Sequence, residues 1–337
     1  MMPSSQRTRL EDVAREAGVS RITVSRAFSN PDSVHPETLV RVHEVAERIG
    51  YRPHRRTRTQ ASPQVPARHQ RIGVVMPNLN NPFFGHIGQS LSKAGLDHDV
   101  DILVLDSYES ETQEQVAVKR LLALGIDALI IAVISSDADY HPGWASRLEQ
   151  SGIPVILLDR EIDIAHAGGV YIDNTDCGYQ AGAWMVRQKA GNVLVISGPG
   201  DSRVSIGRTS GIREALGDTP IRVHYADFTM DPAYHFMKEV LSQGDVPEGV
   251  IAVNNQIALG IIKACLEAGL VPGKDLLLFS IDAVPYAEVF GYRISCMKMN
   301  TEEVATRALA LALQAINKSS PDGGKVIVRA ILNERIA

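Results

Sequence analysis

Four short apolar runs end in residues that can hold hydroxyl groups. VVMP is followed by NLNNPFFG, which supplies Asn80, Asn81, Phe83 and Phe84; PVILL is followed by Asp159 and Arg160, GVIAV by Asn254 and Asn255, and LLLFSI by Asp282. A carboxylate or amide takes paired hydrogen bonds from neighbouring hydroxyls, an arginine donates in a fixed fork, and a phenyl face carries the C–H side of a sugar ring. Together these residue types suit a polyhydroxylated small molecule. The same amides and carboxylates also cap helices at strand-to-helix turns, and for each of them that alternative stands.

A second set stands near the start, in SRITVSRAFS. On a helix, Val24, Ala27 and Phe28 share one edge, while Arg21, Ile22, Ser25, Arg26 and Ser29 fall away from it. Arg26 can fork onto the two acceptors of a guanine, Arg21 can do the same or hold a phosphate, and Ile22 can touch a thymine methyl. Ser20, Thr23 and Ser25 read as phosphate contacts or as caps, which position a helix without reading sequence. The plain alternative is a small helical bundle with a solvated face.

The elements that must position these groups are legible in outline. Thr8 with Glu11 forms a capping box, Leu10, Val13, Ala14 and Ala17 make one apolar face, and Gly18 ends the helix. Ser20 caps the next helix. A third is framed by His35-Pro36-Glu37, carries Leu39, Val42, Val45, Ala46 and Ile49 inward, and stops at Gly50. That is an all-α helix-turn-helix domain over residues 1–51. Residues 52–70, with three prolines and a run of arginines, form an extended hinge or linker. From 71 to 337 short branched runs alternate with amphipathic stretches, the pattern of an α/β body of two doubly wound parallel-sheet lobes. A break near Asp163–Gly169 puts about 71–165 and 298–320 in the first lobe and about 166–297 and 321–337 in the second.

Charge separates the two parts. The chain carries a net charge of −5, yet residues 1–71 hold 13 arginines and no lysine against 7 acidic residues. A basic head on an acidic body suggests that the head alone meets a polyanion. No run of about 18 apolar residues occurs, so no membrane span is expected. MMPSSQRTRL lacks the apolar stretch of a secretory signal. Cys177, Cys265 and Cys296 are too few and too far apart for a disulfide framework or a chelating cluster, and read as buried thiols in a reducing cytoplasm. No G-x-G-x-x-G follows the first strand and no P-loop lysine occurs, so neither nucleotide cofactor nor metal is expected. His86, His98 and His166 stand well apart.

The head, LEDVAREAGVSRITVSRAFSNPDSVHPETLVRVHEVAERIGYRP, resembles that of the LacI/GalR family of bacterial repressors, whose pattern runs D-V-A-x-x-A-G-V-S-x-x-T-V-S-R and later L-G-Y-x-P. Asp12 through Arg26, Gly50, Tyr51 and Pro53 carry the match, with Ile49 in place of leucine. The body is similar to the ribose-type periplasmic binding fold through LNNPFF, IPVILLDRE, YIDNTDCGYQAG, NNQIALG and FSIDAVP. The resemblance implies a transcription regulator, a repressor in most of the family, that binds a pseudo-palindromic operator as a homodimer and answers to a sugar-like effector held between lobes. Operator choice would rest on Arg21 and Ile22, shared base reading on Arg26, and Tyr51 joins the DNA-facing set. Ligand contacts carried over are Asn81, Phe83, Phe84, Asp159, Arg160, Arg208, Phe228, Asn254 and Asp282.

Three positions depart from the family. Gln60 stands near the hinge leucine that wedges into the minor groove, so Arg55, Arg56 and Arg58 are expected to follow that groove instead, with weaker bending. Asn255 replaces a common aspartate, and Met299 a glutamine that closes the pocket. Two rivals remain in view. A sugar-acting enzyme is disfavoured because Arg160 beside Asp159 should keep that carboxyl ionised. A plain solute-binding protein leaves the arginine-rich head unexplained.

Overall fold

The structure, a computed structural model, describes residues 10–29, 34–49, 51, 69–135, 137, 139–166, 168–317 and 324–335. Thr8, Gly50, Pro53, Arg55, Arg56, Arg58 and Gln60 lie outside them, as do the side chains of Ser25 and Ser29. The chain forms two units, residues 1–68 and 69–337.

The first unit holds three helices, α1 (Leu10–Ala17), α2 (Arg21–Ser29) and α3 (Pro36–Arg48). Gly18 takes the left-handed conformation, φ 62°, and lets Val19 N donate back to Ala14 O at 3.0 Å. Ser20 Oγ then accepts from Thr23 N at 3.1 Å, the cap the sequence called for. Val13, Ala14, Ala17, Val24, Ala27, Val42, Val45 and Ala46 form the buried core, with Leu10, Phe28, Leu39 and Ile49 packed around it. So small a core holds α2 by one edge and leaves the other to solvent.

The second unit has two six-stranded sheets. The first is ordered β11-β5-β4-β3-β1-β2, with β1 (Gln70–Met76), β2 (Val100–Asp106), β3 (Ala128–Ile131), β4 (Val155–Leu158), β5 (Gly168–Ile172) and β11 (Lys325–Val328), all parallel. The second is ordered β12-β10-β9-β8-β6-β7, with β6 (Val193–Ser197), β7 (Ile221–Tyr225), β8 (Gly249–Ala252), β9 (Leu277–Ile281), β10 (Ser295–Lys298) and β12 (Ile331–Asn333). Only β12, against β10, runs antiparallel. Helices α4 (Pro82–Asp97), α5 (Glu111–Ala123) and α11 (Thr301–Ile316) pack on the first sheet; α7 (Asn174–Arg187), α8 (Arg203–Leu216), α9 (Met230–Ser242) and α10 (Asn255–Glu267) belong with the second. The short α6 (Ala145–Ser151) precedes β4.

The lobe boundaries differ from those expected. β5 pairs with β4 and β11 with β5, so the first crossing falls after Ile172 rather than near 165, and the last after Val328 rather than near 320. The Gly168-Gly169 pair looks like a break in the sequence. In the fold it opens β5, paired with β4 and β11, and a Cβ on Gly169 would come within 2.2 Å of the Tyr171 hydroxyl, which leaves room only for glycine there. The chain thus passes between the sheets three times, near Asp173, Met299 and Arg329.

Candidate functional site

The carboxyl ends of β1, β2 and β4 meet those of β7, β8 and β9 and the start of α8 at a cleft, and the predicted ligand residues come from both sides of it. The cavity there measures about 30 Å³ and is lined by Asn81, Phe83, Phe84, Asp159, Arg160, Arg208, Phe228, Asn254 and Asp282. Asn78, Glu109, Val204, Thr229 and Gln256 complete the lining and were not picked out from sequence. Glu109 sits just past the end of β2, where the rule that ligands gather at strand ends points to it.

Each side chain is held by local structure. Asn81 caps α4, its Oδ1 accepting from Phe83 N at 3.1 Å, and Pro82 at the first helical position fixes the entry. Asn254 caps α10 through Ile257 N at 2.8 Å and donates from Nδ2 to Phe228 O at 2.8 Å. The capping alternative is therefore realised for both asparagines, which also line the cleft. Phe83 and Phe84 stack edge to face, centroids 5.0 Å apart. Phe228 lies over Gly198, where any Cβ would come within 2.3 Å of its ring.

The arginines are buried and anchored. Arg160, 5% exposed, donates from Nη1 to Val133 O at 2.9 Å, to Ile134 O, and to Glu109 Oε2 at 3.3 Å. Its guanidinium lies 5.8 Å from the Phe84 centroid and 5.7 Å from that of Phe228, one ring from each lobe. The loop that offers those carbonyls is tied down by the buried Glu114. That carboxylate accepts from Ile134 N at 2.8 Å, Trp144 Nε1 at 2.7 Å and the Tyr140 hydroxyl at 2.9 Å. Arg208, 4% exposed, donates from Nε to Asn174 Oδ1 at 2.8 Å and from Nη1 to Val253 O. The glycine of its RTSG context, Gly211, explains the spacing. A Cβ there would meet Thr175 O at 2.1 Å, and one on Gly178 would meet Arg208 O at 2.0 Å, so α7 and α8 touch backbone to backbone.

Asp159 and Asp282 are the polar centre. Both adopt positive φ, 61° and 90°, uncommon for residues with a side chain and concentrated at functional sites. Each keeps an Oδ1 that meets no donor among the described residues. Burial pushes the Asp282 carboxyl up to about 7, against the pull of Arg208 and with a further push from Asp159. For Asp159, burial outweighs both Arg208 and Arg160 and raises the pKa. The arginines therefore do not lower this carboxyl overall: desolvation of a buried carboxylate exceeds the attraction of arginines already shared with carbonyls.

The two departures also find places. Asn255, 1% exposed, donates from Nδ2 to Asn81 Oδ1 at 3.1 Å, a hydrogen bond from one lobe to the other. Met299, buried at a crossing, lines an adjoining cavity of about 380 Å³ that shares Phe83 and Asp282 with the main one. The three cysteines are free and buried, which pushes Cys177 and Cys265 up to about 12 and Cys296 to about 11. His86 is exposed on α4, His98 caps its far end, and His166 Nδ1 accepts from Gly168 N at 3.2 Å.

In the head, Ile22 is 64% exposed, and Arg26 is exposed with no ion pair or hydrogen bond to another described residue. Arg21 meets Glu11 at 3.0 Å, which leaves it less free than Arg26. Thr23 spends its hydroxyl on that of Ser20, 2.9 Å away, so both act first as caps. Tyr51 is half-buried with its ring 5.9 Å from that of Phe28, in the packing of the head. No helix is long and apolar enough to cross a membrane among the described residues.

A closed two-lobed receptor cleft and a separate helix-turn-helix head with a cationic outer edge define a ligand-responsive DNA-binding protein. Comparison with known proteins agrees. Residues 9–54 match the bacterial regulatory proteins of the lacI family, and residues 72–290 match the periplasmic binding protein domain. The chain belongs to the LacI family of transcription regulators, with a periplasmic-binding-protein-like body. It is 24% identical over 321 residues to catabolite control protein A of Priestia megaterium, covering 94% of each chain. It is 25% identical over 330 residues to the transcriptional regulator PtxS of Pseudomonas putida, covering 97% of this chain and 95% of that one. The Cra dual regulator of Pseudomonas putida, solved with fructose 1-phosphate, shares the fold with a TM-score of 0.71 at 23% identity over 79% of this chain and 99% of that one. The lac repressor dimer, solved on operator with an anti-inducer, does so with a TM-score of 0.68 at 21% identity, covering 98% and 100%.

Proposed function

We propose that this regulator binds a pseudo-palindromic operator as a homodimer and that a sugar-like polyol in the cleft sets its operator affinity. The observation that carries the reading is the convergence of Asp159 and Asp282, each with an unpartnered buried oxygen, between two anchored arginines and three phenyl rings. Hydroxyl donors satisfy such oxygens, and the rings accept the C–H faces of a sugar. Ligand contacts fall to Asp159, Asp282, Arg160, Arg208, Phe83, Phe84 and Phe228, with Asn81 and Asn254 contributing what their caps leave free.

On the DNA side Arg26 reads a guanine and Ile22 a thymine methyl, while Arg21, held by Glu11, serves a phosphate. One short helix reads only a few base pairs, so two copies are needed for a specific site. Ligand and operator affinities are then linked reciprocally. The reading is of a regulator rather than an enzyme, as its relatives are, and of a cytoplasmic place suited to three buried free thiols.

A thermal-shift screen of the full chain against ribose, glucose, galactose, fructose and myo-inositol tests the ligand half, since binding raises the melting temperature by mass action. At least one should stabilise it and, in the same buffer, change the affinity for an operator selected from random duplexes. A chain that no polyol stabilises refutes the sugar reading; a chain with no preference among duplexes refutes the operator reading.

A further inference from the structure

The reading of the cleft as a sugar site leaves its charge preference open, and Glu109 bears on it. The residue stands in the loop between β2 and α5, outside every position that the sequence motifs singled out. Tyr108 and Glu109 both adopt left-handed backbone, φ 52° each, which residues with side chains hold only when their surroundings insist. The surroundings do. Ser107 N donates to Met76 O at 2.9 Å, Glu109 N to Pro77 O at 2.7 Å, and Tyr108 N to Asp106 Oδ1 at 2.7 Å. The other Asp106 oxygen accepts from Leu79 N at 2.9 Å. The loop after β2 is thus pinned to the loop after β1, and its bend delivers a carboxylate to the cavity wall, 3.3 Å from Arg160 Nη1.

We propose that Glu109 is a specificity-determining residue that cancels the Arg160 charge at the cavity and so excludes phosphorylated and other anionic sugars in favour of neutral ones. Arg160 is the cation best placed to receive a phosphate between Phe84 and Phe228. Its near nitrogen is already spent on Val133 O, Ile134 O and Glu109. Arg208 lines the same cavity as Asp159 and Asp282 and its charge pulls on both carboxyls. A phosphate entering beside Arg160 would meet the Glu109 carboxylate, whose side chain is 32% exposed, at close range, and the two like charges would repel across that short distance. A neutral hydroxyl would instead find in Glu109 an acceptor.

The inference rests on the sugar reading, and its test separates the two. The full chain, its Glu109→Gln variant and a Glu111→Gln control are titrated by calorimetry with neutral sugars and their phosphates: glucose and glucose 6-phosphate, fructose and fructose 1-phosphate, ribose and ribose 5-phosphate. Glu111 carries the same charge on α5 but does not line the cavity. The wild type and the control should bind a neutral sugar and discriminate against its phosphate. Glu109→Gln should narrow that discrimination by about tenfold or more while the neutral sugar changes by less than about threefold. Equal or tighter binding of a phosphate by the wild type overturns the inference alone, as does a Glu109→Gln ratio matching that of the control. Binding of no sugar by any of the proteins overturns the sugar reading and this inference with it.

Discussion

Replacing Asp282 by asparagine should remove part of the pH dependence of stability, and the structure sets the size. The carboxyl moves from an ordinary value of 3.8 to about 7 because it is enclosed, with Arg208 only partly offsetting the loss of water. Between those values the unfolded chain releases a proton that the folded chain keeps. Stability from this group is therefore complete below the lower value, falls as pH rises, and levels off above the upper one. At about 1.4 kcal/mol for each whole step in pKa, the loss approaches about 4 kcal/mol. Asparagine keeps the shape and cannot ionise. Urea melts of the full chain from about pH 5 to about pH 8 cover the upper part of that window, so the variant should already lead at the acid end and gain about 2–3 kcal/mol more on the wild type before the difference levels off. Asp159, also raised by burial, leaves a residual slope of the same sign in both proteins. Parallel profiles with a constant offset would refute the argument, because Asp282 would then carry its charge in the fold without cost.

Other substitutions probe separate links. Arg26→Ala should cost about 1–3 kcal/mol of operator affinity and relax base preference at one position, measured by fluorescence anisotropy on single-base operator variants; equal weakening on random DNA would assign Arg26 to phosphate instead. Asn255→Asp places a carboxylate oxygen against Asn81 Oδ1, which cannot turn because it caps Phe83 N. The lost bond and the repulsion together should cost the closed cleft about 2–4 kcal/mol, read as a larger radius of gyration in small-angle scattering of the free protein. Gly178→Ala drives a Cβ into the Arg208 carbonyl and should lower the urea midpoint by the equivalent of about 3 kcal/mol, with calorimetry reporting weaker ligand binding as α8 shifts.

Much of the fold was readable because its signals are local. The runs that became β1–β4, β6, β8 and β9 are branched, short and bounded by turn residues, and Gly18 with Ser20 announces the turn between α1 and α2. β5, β7, β10, β11 and β12 carry weaker signals, each opened, broken or ended by glycine or polar residues, and partners in the sheets define them. Seven of the residues read from strand ends line one cleft, Arg208 and Phe228 came with the family resemblance, and Glu109, just past the end of β2, is reached by the strand-end rule alone.

The sequence by itself determined which residue types stand at which strand ends, where α2 keeps its apolar edge, and that a basic head precedes an acidic body. These are consequences of periodicity and of charge counted along the chain. Tertiary structure alone decided that β5 and β11 belong to the first sheet, that Asn255 reaches Asn81 across the lobes, and that Asp159 and Asp282 are buried within the pull of Arg208. Desolvation depends on everything that surrounds a group, and those surroundings come from segments far apart in the chain.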